Sequence, residues 1–366
     1  MGIIGAGQLG RMLALAGYPL GLRFVFLDKS ADAPGGQVGS LIRGDFGDRD
    51  RLAELARAVD IITFDVEHVP VEPLREIAER IRFLPPVRAL ATAQDRLTEK
   101  DLFVELGIPT PRFRAVHDLA GLHSAVAEMG YPCVAKTRRL GYDGRGQRFL
   151  RHDADVEPAW NELAGVPLIL EAYVPFDCEI SVIGVRSVNG ETACYPISRN
   201  HHEAGILRYS IAPFLQPKLQ REAERHLVRL LEYFDYAGVL TIEFFVQDGE
   251  LLANEMAPRV HNSGHWTIEG AVISQFENHI RALLGLPLGD TSAVGHSGML
   301  NFLGRLPPLQ AALAIPGAHF HSYGKTPRPA RKLGHCTVTA EDPAERDRRL
   351  DQLLAMNDSA GPATET

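Results

Sequence analysis

The sequence predicts an α/β protein of more than one domain, and three observations carry that expectation. The first is a very short strand, Met1-Gly2-Ile3-Ile4, that opens into Gly5-Ala6-Gly7-Gln8-Leu9-Gly10 and a helical stretch from Arg11 to Ala16. The second is the recurrence of short apolar strands ending in charge: Phe24 to Leu27 before Asp28, Ile61 to Phe64 before Asp65, and Tyr131 to Lys136. The third is a hairpin. Thr241, Glu243 and Phe245 alternate with Ile242, Phe244 and Val246, Asp248-Gly249 is a strong turn signal, and Leu251 to Glu255 runs back.

Composition bounds the function. The 366 residues, 45% apolar and 23% charged, describe an enzyme-sized globular chain of two or three domains. A net charge of -8 and a pI of 6.0 argue against nucleic-acid binding by bulk charge, so any anion site must be a local basic cluster. Cys133, Cys178, Cys194 and Cys336 are scattered with no C-x-x-C pair, which speaks against a zinc site or a disulfide framework. No basic-then-apolar leader and no apolar run of membrane-spanning length is visible, so the expected location is cytoplasmic.

Taken in order, the glycine run matches G-x-G-x-x-G with Asp28 about twenty positions on, as in a dinucleotide fingerprint. An NAD-dependent dehydrogenase or a dinucleotide sensor is one reading; a tight strand-to-helix turn in any α/β unit is the other. Asp65, Glu67 and His68 follow the Ile61–Phe64 strand, where such sheets place their loops, and Glu67 is open between a ligand and a solvated carboxylate. Asp95 to Leu106 reads as a charged, uncapped helix closed by Gly107 and Pro109, and Ala125 to Met129 is helical.

Beyond Lys136, the residues from Arg138 to Gln147 place three glycines among three arginines. Their N–H groups and guanidiniums can wrap phosphates, although no GK[ST] opens a helix. An exposed basic hairpin tip is the other reading for Arg138 and Arg139. The strand Leu168 to Val174, followed by Glu179 to Val185, suits an adenine edge and a ribose hydroxyl flanked by Glu171 and Glu179, or simply core. Asn200-His201-His202 is either a metal site or one buried and one solvated histidine. Lys218 to Tyr233 and Ile268 to Leu284 read as long helices.

Register decides what the hairpin does. A two-residue loop sets Glu243 opposite Asn254, whereas a three-residue loop, Asp248-Gly249-Glu250, pairs Glu243 with Glu255. Two carboxylates on one buried face repel unless a cation lies between them. Glu–Mg2+–Glu is one reading, and an ion pair of either glutamate with Arg259 is the other. Arg259, His261, Asn262, Ser263, Gly264 and His265 then supply the donors of a small-anion site. Near the end, Lys325, Arg328, Arg331 and Lys332 form a solvated face or a phosphate anchor. Glu345 to Met356 is a polar helix, and Ser359 to Thr366 has the composition of a frayed tail.

Four segments in order, Gly7 to Met12, Gly141 to Gln147, Ala257 to Trp266 and Arg331 to His335, make the chain resemble the 5-(carboxyamino)imidazole ribonucleotide synthase family of ATP-grasp ligases. The resemblance implies an ATP-grasp fold with a Rossmann-like pre-ATP-grasp domain (1–94), an ATP-grasp domain (95–295, mobile lid about 112–172), a small C-terminal domain (296–358) and a flexible tail (359–366). It implies ATP, Mg2+, bicarbonate and 5-aminoimidazole ribonucleotide as ligands, and a homodimer. Carried over by motif, Arg96 and Lys136 meet the ATP phosphates together with Gly141, Tyr142, Asp143, Gly144, Arg145, Gly146 and Gln147. Glu171, Ala172, Tyr173 and Val174 meet adenine, Glu179 and His202 the ribose, and Asn254 and Glu255 the metal-nucleotide, with Glu243 and Glu255 holding Mg2+. Arg259, His261 and Asn262 suit bicarbonate, and Asp143 orients the amine. Gln8, Leu9, Glu67, Tyr142, Arg145, Lys325, Arg331 and Lys332 are implied for the ribonucleotide. Asp65 and His68 depart from the Glu and Asn expected there.

Overall fold

The computed structural model describes residues 1–141, 146–163 and 165–359. Among them the strands form three sheets. The first is parallel and comprises β1 (Gly2–Ile4), β2 (Val25–Asp28), β3 (Ser40–Arg43), β4 (Ile61–Phe64) and β5 (Arg82–Phe83), in the order β3-β2-β1-β4-β5. The very short first strand is therefore the central one. Three residues suffice because Ile3 and Ile4 are fully buried, one toward each face.

The second sheet is antiparallel, β6 (Phe113–Val116), β7 (Cys133–Thr137), β8 (Gln147–Leu150) and β9 (Leu168–Ala172), ordered β6-β9-β7-β8. The helices Leu119–Met129 and Val156–Leu163 cover one of its faces. The third sheet runs from β10 (Cys178–Arg186), β11 (Thr192–Cys194), β12 (Ser198–Glu203), β13 (Ile206–Ala212), β14 (Gly238–Gln247) and β15 (Glu250–Ala257) on into β16 (His296–Leu303), β17 (Ala318–Ser322) and β18 (Lys332–Ala340). Its order is β15-β14-β10-β12-β13-β16-β18-β17, with β11 beside β10.

Amphipathic helices fasten these layers. Helix Pro217–Tyr233 lays Leu219, Ala223, Leu227, Leu230 and Leu231 on Ile180, Val182, Leu240, Ile242 and Phe244. Phe276, Ile280 and Leu283 of helix Gln275–Leu284 share a core with Leu9, Met12 and Leu13 of helix Gln8–Gly17, which joins the first sheet to the third.

Two helical expectations change. The stretch from Ile268 to Leu284 is not one helix: Thr267–Gly270 ends at extended Ala271, and Ser274 caps a new start by accepting from Glu277 N–H at 3.2 Å. The helix Arg96–Glu105 is capped after all, by Asp95, which accepts from Leu97 N–H at 3.1 Å. Strands β12, β13 and β16 to β18 were not legible because buried Ser198, Asn200, Ser210, Asn301 and Thr337 interrupt the apolar alternation. The last helix spans Pro343–Ser359, and the tail expectation from residue 360 onward lies outside the described residues.

The central hairpin departs most instructively. Gln247 pairs with Glu250, so the loop is the two residues Asp248 and Gly249, with φ of 53° and 74°, not the three-residue connection the carboxylate pairing demanded. The register holds through Phe244↔Ala253 and then shifts, so that Glu243 faces Glu255. A β-bulge at Asn254 supplies the extra residue that the loop does not. Gly249 needs its positive φ, but a Cβ there would meet nothing within 4 Å. Gly249→Ala should therefore cost about 1–2 kcal/mol of unfolding free energy from backbone strain alone, with activity unchanged. Urea unfolding beside a turnover assay checks both halves.

Candidate active site

The site lies where the second and third sheets face each other, with the first sheet's loops closing one side. On the side of the second sheet, β7 and β9 place Lys136 Nζ 2.9 Å from Glu171 Oε2, and Lys100 Nζ approaches the same oxygen at 3.9 Å. Burial alone would raise the Glu171 carboxyl, but Lys100 and Lys136 outweigh it and hold it at about 2. Its Oε1 is buried without a partner among the described residues, a free acceptor facing the site. Arg96 reaches the carbonyls of Thr137 (3.4 Å) and Gly141 (3.5 Å), and Thr137 N–H donates to Gly146 at 2.8 Å, so the glycine loop is anchored at both ends. Gly141, Gly146 and Gln147 are thereby placed; Tyr142, Asp143, Gly144 and Arg145 lie outside the described residues.

Arg139 is exposed, but Arg138 is neither an exposed tip nor a free phosphate donor. Arg138 makes a two-pronged pair with Asp95 at 2.9 and 2.8 Å, and Arg139 donates to Gln94 at 2.9 Å. At the end of β9 Ala172 is half-buried, and beyond it Tyr173 is exposed and Val174 buried. Glu179 Oε2 sits 2.8 Å from His202 Nδ1, while exposed His201 stacks on Tyr209. Burial lowers the affinity of His202 for a proton, but Glu179 and then Glu243 reverse that and raise its pKa to about 9.

Glu243 and Glu255 face each other across the bulge, with Asn254 beside them. Burial first, and the neighbouring Glu255 and Glu179 carboxylates next, push Glu243 up to about 7 against the pull of His202. An excess of inward negative charge of this kind fits a divalent cation, which would reverse those shifts. Among the described residues no cluster of three or more His, Cys, Asp or Glu forms a self-sufficient metal cage. The two carboxylates alone would supply part of a cation's shell. The alternative partner for the pair is already engaged: Arg259 lies 3.0 Å from Glu67 and donates to Val260 O.

His261 lies between these groups, its Nε2 3.8 Å from Glu243. Ser263 N–H donates to His261 Nδ1 at 3.3 Å, which leaves the ring proton on Nε2, pointing into the site. Burial, then Arg259, drives its pKa well down, so the ring is a neutral donor. Ser263 continues into Ser181 (2.7 Å), Ser198 (2.8 Å) and Asn200, a buried polar chain that fixes the loop and that residue spacing gave no hint of. Both side-chain polar atoms of Asn262 are buried without a partner among the described residues. Unmet hydrogen-bonding capacity here is the mark of a ligand position.

A second cationic cluster closes the other side. Lys325 donates to Gln8 Oε1, joining the glycine turn to the segment before β18. Burial, and then Arg331, lower Lys325 to about 8, against the pull of Asp65. Lys332 is buried, whereas Arg331 is partly exposed and donates to Thr326 O at 2.9 Å. The Leu9 side chain lies in the core. Behind them, half-buried His321 stacks on buried His335 at 4.4 Å, buried His265 tilts against His335 at 4.7 Å, and Tyr323 is hydrogen-bonded to His335 at 2.7 Å.

The glycine fingerprint is now explained without a dinucleotide. Ala6 N–H donates to Asp28 at 2.8 Å and Gly10 N–H to Asp65 at 2.7 Å, so two carboxylates occupy the helix N-terminus where a pyrophosphate would sit. Gly5, at φ +93°, is required because a Cβ would fall 1.8 Å from Asp65 Oδ1. Asp65 is thus the shorter acid that fits beneath the turn.

Residues 1–94 match the ribonucleotide synthetase preATP-grasp domain, 101–276 the ATP-grasp domain and 297–349 the phosphoribosylaminoimidazole carboxylase C-terminal domain. The N5-carboxyaminoimidazole ribonucleotide synthase of Pseudomonas aeruginosa is 51% identical over 97% of this chain and 99% of that protein. The chain belongs to the N5-carboxyaminoimidazole ribonucleotide synthase family. A crystal structure of the Thermus thermophilus synthetase superimposes with a TM-score of 0.94 at 48% identity, covering 100% of this chain and 99% of that one. The Aspergillus clavatus synthase, solved with ADP and 5-aminoimidazole ribonucleotide, gives 0.92 at 32% identity over 98% of each chain. Membership makes the chain an ATP-grasp ligase and removes the dehydrogenase reading, which rested on the glycine turn and Asp28 alone. It also removes the biotin-carboxylase-like reading, because the C-terminal part matches the domain specific to this family.

The His202–Glu179 pair makes stability depend on pH. A histidine raised from 6.5 to about 9 contributes stability that is fully present below 6.5 and lost as pH rises through 9. In metal- and nucleotide-free protein, the stability gap between the wild type and His202→Gln should shrink from pH 7 to pH 10. Urea unfolding across that range measures it; a constant gap would mean that the imidazole is already neutral.

Proposed function

We propose that the chain carboxylates 5-aminoimidazole ribonucleotide with bicarbonate at the expense of ATP, through carboxyphosphate, and that the residues above divide the work. The observation that carries the assignment of roles is the position of His261, a neutral donor 3.8 Å from Glu243 and beside Arg259. Donors for a small oxyanion therefore adjoin the carboxylates that face the nucleotide, as in-line attack by bicarbonate on a γ-phosphate requires.

ATP lies against Lys136, Arg96 and the glycine loop through its phosphates, against Glu171 to Val174 through adenine, and against Glu179 and His202 through ribose. The Lys136–Glu171 contact and the unpartnered Glu171 oxygen support this placement. Glu243 and Glu255, with Asn254 adjacent, hold Mg2+, which supplies charge neutralisation on the transferring phosphoryl group. Arg259, His261 and Asn262 orient bicarbonate, an otherwise weak nucleophile. Asp143 is assigned to the aminoimidazole amine, with Tyr142 and Arg145 around the nucleotide. We place the lid at about 112–172, a segment that includes β6 to β9.

The ribonucleotide 5′-phosphate is assigned to Lys325, Arg331 and Lys332, beside Gln8, the Leu9 backbone and Glu67. Burial first, and the neighbouring Arg331 after it, lower the Lys325 pKa, and a phosphate dianion among these three cations would offset both. We expect a cytoplasmic homodimer, its assembly read by analytical ultracentrifugation; among the described residues no helix is long and apolar enough to cross a membrane.

ADP release should require both bicarbonate and the aminoimidazole nucleotide for full rate. Arg331→Ala should cost about 2–3 kcal/mol of ribonucleotide binding, seen as a higher KM for that substrate with the KM for ATP nearly fixed. A rise confined to the ATP constant would put the basic cluster on the wrong substrate.

A further inference from the structure

The bulge that aligns Glu255 with Glu243 lies on β15, the edge of the third sheet, so its outward backbone groups have no neighbouring strand. In a regular strand those groups recur at every second residue, which would be Ala253, Glu255 and Ala257. Here the outward amides that find partners are at Ala253 and Met256, three residues apart. That spacing is the bulged phase itself.

Two adjacent residues of helix Arg96–Glu105 match it. Lys100 Nζ donates to Ala253 O at 2.8 Å, joined by Thr110 Oγ1 at 3.0 Å, and Met256 N–H donates to Glu99 Oε1 at 2.7 Å. Glu99 and Lys100 are 2% and 1% exposed, an uncommon depth for charged side chains. Their carbonyl and amide partners bracket Asn254 and Glu255 from both ends. Lys100 also lies 3.9 Å from Glu171 across the nucleotide cleft.

We propose that Glu99 and Lys100 are positioning residues that lock the β15 bulge, and through it turn Glu255 toward Glu243, while Lys100 ties this metal-facing edge to the adenine-side Glu171. Slipping the strand by one residue would bury Met256 N–H unpaired and carry Glu255 to the opposite face. The pair thus acts on metal binding without touching the metal. This inference rests on the reading of Glu243 and Glu255 as metal ligands.

A mutant cycle on the full-length protein separates positioning from general structural support. Calorimetry with saturating ADP reads the Mg2+ dissociation constant, and hydrogen exchange reads the backbone at 251–257. Glu99→Ala should weaken Mg2+ binding by about 10–100-fold, the range for groups that orient metal ligands, and should speed exchange. Glu99→Gln keeps an acceptor oxygen and should stay within about threefold of wild type. In a Glu255→Gln background, Glu99→Ala should add almost nothing, because the ligand it positions is already impaired. Full additivity, or unchanged Mg2+ binding in Glu99→Ala, overturns the proposal. Should Glu99→Ala not fold, Lys100→Met runs through the same cycle with the same deciding outcomes. Normal Mg2+ binding in Glu255→Gln alone would instead overturn the metal reading on which the proposal stands.

Discussion

The placement of Glu255 opposite Glu243 is the constraint around which the cleft is arranged. Burial first, and the facing Glu255 carboxylate after it, push Glu243 up to about 7. Of its neighbours His202 answers that charge most strongly. His202 is drawn toward the cationic form, Arg259 is committed to Glu67, and His261 is kept neutral with its proton on the ring nitrogen that faces Glu243. Two buried carboxylates without a counter-charge between them are unfavourable, and a cation placed there would relieve that cost.

Charge is segregated on a larger scale too. The chain carries a net charge of -8, yet Lys325, Arg331 and Lys332 converge beside the glycine turn of the first sheet. The turn itself is spent on Asp28 and Asp65, which take the amides a dinucleotide would need. Those same carboxylates then oppose the cations from below, and Gln8 reaches across to Lys325. A familiar nucleotide-binding turn has become the wall of a different pocket, one completed by residues more than three hundred positions away in sequence.

Much of the site was legible because strand ends announce themselves. Lys136, Asp65 and Glu179 each sit at the edge of a short apolar run, and the donor-rich segment from Arg259 to His265 follows directly on β15. Less was legible where buried polar residues form the structure. Ser181, Ser198 and Asn200 inside the third sheet link to Ser263 in the loop after β15, and they break the alternation by which strands are recognised. Glu99 and Lys100 stand in a helix legible only as charged, because nothing local reveals that it packs these charges against a sheet edge. Asp95 similarly hid two duties, a helix cap and the partner of Arg138.

Sequence by itself determined the α/β class, the order of the chemical segments, the family they resemble, and the pairing of a hairpin at Asp248-Gly249. These are local properties: turn chemistry, apolar period and motif content act over a few residues. Which side chains meet across that hairpin was decided only by the tertiary structure. Counting from a two-residue turn sends Glu255 to the wrong face, and nothing in the residues from Glu250 to Ala257 marks Asn254 as the one to bulge. The bulge is held by backbone groups paired to a helix about 150 residues earlier in the chain, and the free energy that selects it comes from those buried contacts. A strand's phase is a nonlocal quantity whenever its edge is read by another part of the fold.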